Sequence, residues 1–237
     1  MEIIVPKIKP LIVRKKIPEI TSKIDKTGLR LYLDFAELSG NLALDQSGYG
    51  NHGIIYGASR VKRLGYDASY FDGVDDYVKI PTSESLDITD AITIEVWINA
   101  LGNVGSGGFV GKGSAYLLAF NESNCIYFNY YNGSDWVGTT YSNRSIKDSN
   151  WHYVEATYSV ERGTVQIVID GILDKDNPVT VNSINVSLND LAVGYISGWS
   201  SIWYYEGLIA MPRVYSYTLS LREIREHFEN ERILFGV

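Results

Sequence analysis

Ala91-Ile92-Thr93-Ile94-Glu95-Val96-Trp97-Ile98 is the stretch whose reading decides the fold. Ile92, Ile94, Val96 and Ile98 fall on one side of an extended chain and Thr93, Glu95, Trp97 and Asn99 on the other. That period of two predicts a strand with one face in a core. Two turn-rich stretches precede it, Asp45-Gln46-Ser47-Gly48-Tyr49-Gly50-Asn51-His52-Gly53 and Phe71-Asp72-Gly73-Val74-Asp75-Asp76-Tyr77-Val78. Further out, Leu29, Leu31 and Leu33 alternate with Arg30, Tyr32 and Asp34. Val165, Ile167 and Ile169 form a third face and end in Asp170-Gly171, a dipeptide suited to a tight hairpin. Many short strands separated by Gly and Asn turns predict two packed antiparallel sheets. One helix is expected, at the C-terminus: Ser220 caps it, Glu223 completes a capping box, and Leu221, Ile224, Phe228 and Ile233 recur at helical spacing. That helix is expected to seal an edge of the sandwich, and Gly102 to Gly113 reads as a glycine-rich hairpin or loop.

The same segments in the same order resemble a laminin G-like domain of the concanavalin A-like superfamily. The two turn stretches and the 91–98 strand carry the resemblance. A Trp151-His152-Tyr153-Val154 strand, the Ile169-Asp170-Gly171 turn and a Gly207-to-Tyr215 strand before Leu219-Ser220 continue it, over residues 27 to 230. The resemblance implies an all-β fold, a two-sheet antiparallel jelly-roll sandwich, in a family that binds more often than it catalyses. It names a scaffold, not a ligand.

Composition bounds the rest. At 237 residues, 45% hydrophobic and 21% charged, the chain is long enough for one large core. A net charge of −7 argues against nucleic acid as a partner of the body, because phosphate backbones are held by clustered Lys and Arg. Cys125 is the single cysteine, so the fold has no intrachain disulfide, and a packed thiol is expected. No apolar run reaches the ~20 residues of a membrane span, and no signal-peptide apolar region is evident at the N-terminus. Asn-x-Ser sequons stand at Asn121, Asn132, Asn143 and Asn185.

Residues 1–25 read as an extended arm, distinct from a domain over 26–237. Pro6, Pro10 and Pro18 are half of the chain's six prolines and bar a helix interior or a central strand. Through Ile24, six Lys and Arg stand against Glu2 and Glu19, a local net of +4. Ile3, Ile4, Val5, Ile8, Leu11, Ile12, Val13 and Ile17 are too apolar for an ordinary solvated tail. Two readings compete: the arm crosses its own sandwich, or it lies on a neighbouring subunit, as in an assembly.

The Glu-x-Asp-x-x-Glu pattern of related glucanases is absent, and Glu95 and Glu155 stand alone on their strands as expected hydrogen-bonded or solvated carboxylates, so a non-enzymatic role is expected. His52, His152 and His227 lack zinc spacing, and no nucleotide-binding loop is present. The resemblance implies a calcium ion between the first turn and the last strand, with Asp45 matching the first-turn aspartate and backbone groups around Asn51 beside it. Where relatives carry Gly-x-Ile-Asp-Glu, this chain has Gly207-Leu208-Ile209-Ala210-Met211, which removes a carboxylate from that Ca2+ site. Asp72, Asp75 and Asp76 read as braces of their own turn.

Aromatic residues are the remaining signal, with 18 Tyr and 5 Trp. Tyr127, Tyr131, Trp136, Tyr141, Tyr195, Trp199, Trp203, Tyr204 and Tyr205 are expected on outward positions or in loops, where they suit a protein interface, a glycan site or plain surface filling. The leading expectation is a structural or surface-display protein of a larger assembly, such as a virion coat, decoration or fibre component. Its arm would bind other protein subunits at a virion or extracellular surface. The alternative is a lectin-like module that recognises glycans through its aromatic loops.

Overall fold

The computed structural model describes residues 26–63, 65–101, 106–198 and 201–237. The arm residues Ile3, Ile4, Val5, Ile8, Leu11, Ile12, Val13 and Ile17, and also Trp199, lie outside the described residues. Two eight-stranded antiparallel sheets stack face to face. The first runs β14 (Ile172–Pro178), β13 (Thr164–Ile169), β12 (Trp151–Ser159), β7 (Ala91–Ala100), β18 (Glu206–Tyr215), β5 (Asp67–Asp72) and β4 (Ser59–Lys62). β1 (Leu29–Tyr32) pairs with the far end of β18. The second sheet runs β11 (Trp136–Ser145), β10 (Cys125–Tyr131), β9 (Tyr116–Phe120), β8 (Gly107–Lys112), β15 (Leu191–Val193), β6 (Tyr77–Ile80), β3 (Gly53–Tyr56) and β2 (Leu42–Ala43). A hairpin of β16 (Tyr195–Gly198) and β17 (Ser201–Tyr204) forms a separate two-stranded sheet, and α1 (Leu221–Phe235) closes the chain.

The period-two faces land as the sequence predicts. Ile92, Ile94, Val96 and Ile98 of β7 join Val165, Ile167 and Ile169 of β13 in the inter-sheet core, against Phe109, Leu118, Ile126 and Phe128 of the second sheet. Asp170 (φ 55°) and Gly171 (φ 71°) form the expected hairpin, where glycine takes the left-handed conformation without strain. Both sides of the sandwich are closed by side chains that bridge the sheets. The Asn177 amide of β14 donates to Thr140 Oγ1 of β11 at 2.9 Å, and Arg60 of β4 donates to the Leu42 carbonyl of β2 at 2.7 Å. Such bridges protect edge strands from pairing with other chains.

Two expectations need correction. Residues 107–112 are a central strand rather than a loop, because their glycines make room for the hairpin that lies across them. The helix α1 has the predicted capping box at Ser220 and Glu223 and a left-handed Gly236 after its last turn. It covers the outer face of the first sheet, however, and not an edge. Phe228 and Phe235 stack on Trp97, at ring distances of 5.9 and 4.1 Å, so the outward aromatic residues of β7 and β12 become a second core.

Candidate functional site

With α1 over one outer face, the outer face of the second sheet is the aromatic surface left to solvent. Its centre is built from small residues. The register shift between Gly108 and Val110 turns Phe109 and Val110 both into the core. Gly108 and Gly111 are left against the hairpin: a Cβ on Gly111 would come within 2.5 Å of Ile196 Cγ2, and one on Gly108 within 2.7 Å of the Ile196 backbone nitrogen. Close approach, not backbone conformation, is what these glycines supply. Ile196 therefore seats in a trough with Leu117, Ala119 and Tyr127, flanked by partly buried Trp136 and Trp203.

Aromatic rings surround this seat. On one side Tyr127 stacks on Tyr141 (5.2 Å, 18°) and meets Trp203 edge-on, while Tyr131 contacts Trp136 at 5.7 Å. On the other, Tyr56 stacks on Tyr77, Tyr77 meets Tyr195, and Tyr195 meets Tyr204. Between them lies a shallow depression of about 20 Å3, lined by Gly111, Gly113, Trp136, Asp190, Tyr195 and Ile196. Lys112 underlies it, fully buried, with its ammonium donating to Asp87 at 2.9 Å, to Thr82 and to the Ser187 carbonyl. That lysine is fully engaged in holding loops. Trp136 and Tyr195 thus flank Asp190 on this surface.

Of the sequence-predicted residues, Tyr131, Trp136, Tyr141, Trp203 and Tyr204 come together on this face. Tyr205 does not. It is 1% exposed and packs edge-on against Phe71 and Phe109 in the inter-sheet core, because alternation sends it inward beside outward Tyr204. Tyr127 keeps its outward position, yet the hairpin covers it, and burial raises its phenol's affinity for its proton. Tyr56 and Tyr77 join this face without being singled out by the sequence reading. The alternation Tyr77-Val78-Lys79-Ile80, with Val78 and Ile80 in the core, was the available signal.

Asp45 and Asn51 lie elsewhere, under the first turn. Asp45 Oδ1 accepts from the Tyr32 and Ser47 amides at 3.0 and 2.9 Å. Its Oδ2 accepts from the Ser47 hydroxyl and the Asn51 amide at 2.6 and 3.0 Å. Asn51 donates to the Arg30 carbonyl and Ser85 and accepts from Ser83. This donor set does not fit a calcium ion: both carboxylate oxygens are already filled by hydrogen-bond donors, which a cation would have to displace. The arrangement instead ties the first turn to β1. Asp72 accepts from the Val74 and Asp75 amides and Asp76 from the Asp72 amide, so the carboxylates of Asp72 and Asp76 brace the second turn.

Under α1 sits a buried charged network. Arg213 pairs with Glu95 at 3.2 Å and with Glu231, the Trp97 indole donates to Glu231 at 2.7 Å, and His227 lies 2.7 Å from Glu95. Burial alone would raise the Glu95 pKa, but His227, Arg213 and the Tyr153 hydroxyl outweigh it and bring it down to about 2. Glu155, directly opposite Glu95 in the β12–β7 pairing, differs. It is 0% exposed and neither oxygen has a hydrogen-bond partner, which corrects the expectation of a bonded or solvated carboxylate. Burial, then the charges of Glu95 and Glu223, push its pKa well above the ordinary value. These carboxylates are sealed under a helix and reach no groove.

Residues 71–225 match the family model of the laminin G-like group described as the concanavalin A-like lectin/glucanases superfamily. The chain belongs to this superfamily. Among solved structures, the receptor binding domain of botulinum neurotoxin C/D mosaic serotype superposes with a TM-score of 0.69 at 13% identity, covering 87% of this chain and 52% of that one. The binding domain of botulinum neurotoxin DC, in complex with rat synaptotagmin II, gives 0.65 at 15% identity over 85% and 51%. A structure of botulinum neurotoxin type C, whose cell entry depends on interaction with two ganglioside molecules, gives 0.65 at 16% identity over 85% and 51%. The chain spans about half the length of these structures, and at such identity the likeness is one of fold. No curated protein matches the sequence. No helix among the described residues is long and apolar enough to cross a membrane.

Proposed function

We propose that this is a carbohydrate-binding module whose ligand lies on the aromatic outer face of the second sheet. The observation that carries the reading is the pair of ring groups flanking the Ile196 seat, Tyr131, Trp136 and Tyr141 on one side and Tyr56, Tyr77, Tyr195 and Tyr204 on the other, with Asp190 beside Trp136 and Tyr195. A sugar ring presents an apolar face to an aromatic ring while its hydroxyls reach carboxylate and backbone groups. Botulinum neurotoxin domains of similar fold, one in complex with synaptotagmin II and one whose cell entry depends on gangliosides, support a binding role. Glycan-panel screening followed by titration of Trp136→Ala tests it. Affinity for the selected glycan is expected to fall about tenfold or more, the scale of an interface hot spot. Unchanged affinity in a folded Trp136→Ala variant contradicts the assignment.

A second reading has its own observation. The N-terminal segment has a net of +4 through Ile24, with apolar residues from Ile3 to Ile20 between its charges. Such a segment suits attachment to other protein subunits, and supports a surface-display or coat, decoration or fibre component of a larger assembly. Both readings put the protein at a virion or extracellular surface. Concentration-dependent mass of the full chain distinguishes the second from the first.

A further inference from the structure

The fold sorts the four Asn-x-Ser sequons into two pairs. Asn121-Glu122-Ser123 forms the turn between β9 and β10, and Asn132-Gly133-Ser134 the turn between β10 and β11. In both, the asparagine oxygen holds the turn and the amide nitrogen is left over. Asn121 Oδ1 accepts from the Ser123 and Cys125 amides at 3.0 and 2.9 Å, and Asn132 Oδ1 from the Ser134 and Asp135 amides at 2.9 and 2.8 Å. The Asn121 side-chain nitrogen donates to no group among the described residues, and that of Asn132 lies 3.5 Å from Asn182 Oδ1, too far for a firm bond. Ser123 and Ser134 are exposed, and neither hydroxyl has a partner among the described residues. The other pair is committed. Asn143 lies within β11, where its side-chain nitrogen donates to the Asp174 carbonyl of β14 and its backbone nitrogen to the Asp174 carboxylate at 2.5 Å. Asn185 donates to the Ser114 carbonyl at 2.9 Å, and the hydroxyl of its sequon, on 5% exposed Ser187, donates to the Gly113 carbonyl at 2.5 Å.

Attachment of an N-linked glycan uses the atoms that differ between the pairs. The asparagine Nδ2 attacks C1 of a sugar carried on a lipid diphosphate, and the hydroxyl two residues on is the feature a transferase reads. The Nδ2–C1 bond forms, the C1–O bond breaks, the lipid diphosphate leaves with its electron pair, and one Nδ2 proton passes to a base of the transferase. We infer that Asn121 and Asn132 are N-glycan acceptors of the folded protein and that Asn143 and Asn185 are not. Turn tips admit an enzyme without disturbing the sheets. The nitrogens of Asn143 and Asn185 become available only when a bond to a carbonyl of another segment is broken. The two acceptors stand at opposite ends of β10, and a glycan on Asn132 lies beside the Tyr131 and Trp136 rings at the margin of the aromatic face. In the cell the modification rests on the surface reading, because sequons are glycosylated on exported chains. Acceptance by the fold is tested apart from it.

The folded full chain is incubated with an oligosaccharyltransferase that acts on folded proteins and with a lipid diphosphate-linked oligosaccharide, and glycans are counted by intact mass and placed by peptide mapping. Glycans are expected at Asn121 and Asn132, with occupancy of Asn143 and Asn185 lower by about tenfold, the scale of giving up one hydrogen bond. Ser123→Ala and Ser134→Ala keep the asparagine bonds in place, and each is expected to remove the glycan of its own turn. Short peptides carrying each sequon are expected to be modified to similar extents, because the sorting lies in the fold. Modification of Asn143 or Asn185 as readily as the turn sites overturns the inference, and so does a bare Asn121 or Asn132 in the folded chain. Peptides that repeat the folded pattern assign the sorting to local sequence and overturn it too. Turn sites that accept the glycan in this assay yet are bare on protein recovered from its natural source place the chain off the glycosylating export route, and leave the acceptor assignment standing.

Discussion

The two outer faces of the sandwich start from similar material and end in opposite states. The first sheet turns Trp97, Trp151 and Tyr153 outward, and the second turns Tyr77, Tyr127, Tyr131 and Tyr141 outward. On the first, α1 lays Phe228 and Phe235 over the rings and carries His227 and Glu231 into a buried ion network. On the second, a short hairpin covers only the glycine trough and leaves rings exposed on both sides. Aromatic residues on a strand therefore do not mark a binding face by themselves. What the chain lays over them decides whether they become core or surface.

The largest expected effect breaks the sealed face. Arg213→Met leaves Glu231 buried without its cation and Glu95 with His227 alone, which costs roughly 3–5 kcal/mol. Urea unfolding is the check, and a loss under about 1 kcal/mol would mean that the network is dispensable. Glu155→Met acts in the other direction, removing an unpartnered buried carboxyl and stabilising the fold by about 1–3 kcal/mol. Equal or lower stability in that variant would show that Glu155 has a favourable role.

Rising pH should weaken the same face. His227 is held above its ordinary value: burial works against it, and Glu95 outweighs burial. The stabilisation from the charged imidazole is complete below its unfolded pKa of about 6.5 and is lost as pH rises through the higher folded value. Glu155, whose pKa is also raised, adds to the loss as pH rises above its unfolded value of about 4.3. Glu95, at about 2, works oppositely and loses its contribution only as pH falls below about 4. Thermal unfolding between pH 5 and 9, values chosen to bracket the roughly 6.5 midpoint of free histidine, should decline for the natural chain and flatten in His227→Gln. Parallel curves would remove His227 from the account.

On the open face, Gly111→Val drives a side chain into the Ile196 seat and is expected to cost about 1–3 kcal/mol while lifting the hairpin. Trp136→Ala should move stability by only about 0.5 kcal/mol. Its effect belongs to ligand binding, and a large loss of stability would reassign Trp136 to the core.

The sandwich was readable from residues because period-two alternation and turn chemistry are local. Ile92 to Ile98 and Asp170-Gly171 predicted their faces and their hairpin without any partner. Tyr205 was misplaced because a run of three aromatics, Trp203-Tyr204-Tyr205, hides which one the strand turns inward. Gly108 and Gly111 looked like loop residues because the reason for them, Ile196, lies more than eighty residues away. Asp45 carried the mark of a metal ligand, yet the amides that fill it come from Tyr32, Ser47 and Asn51 folded around it. Tertiary contacts of that kind leave little trace in local pattern.

Hydrogen exchange of the full chain with and without a saturating selected glycan tests the central claim most directly. The account predicts added protection across β8 to β11 and around Asp190 to Tyr195, with β12 and α1 unchanged. Protection confined to α1 or to the loop of residues 84–91 would place the binding face elsewhere and contradict it.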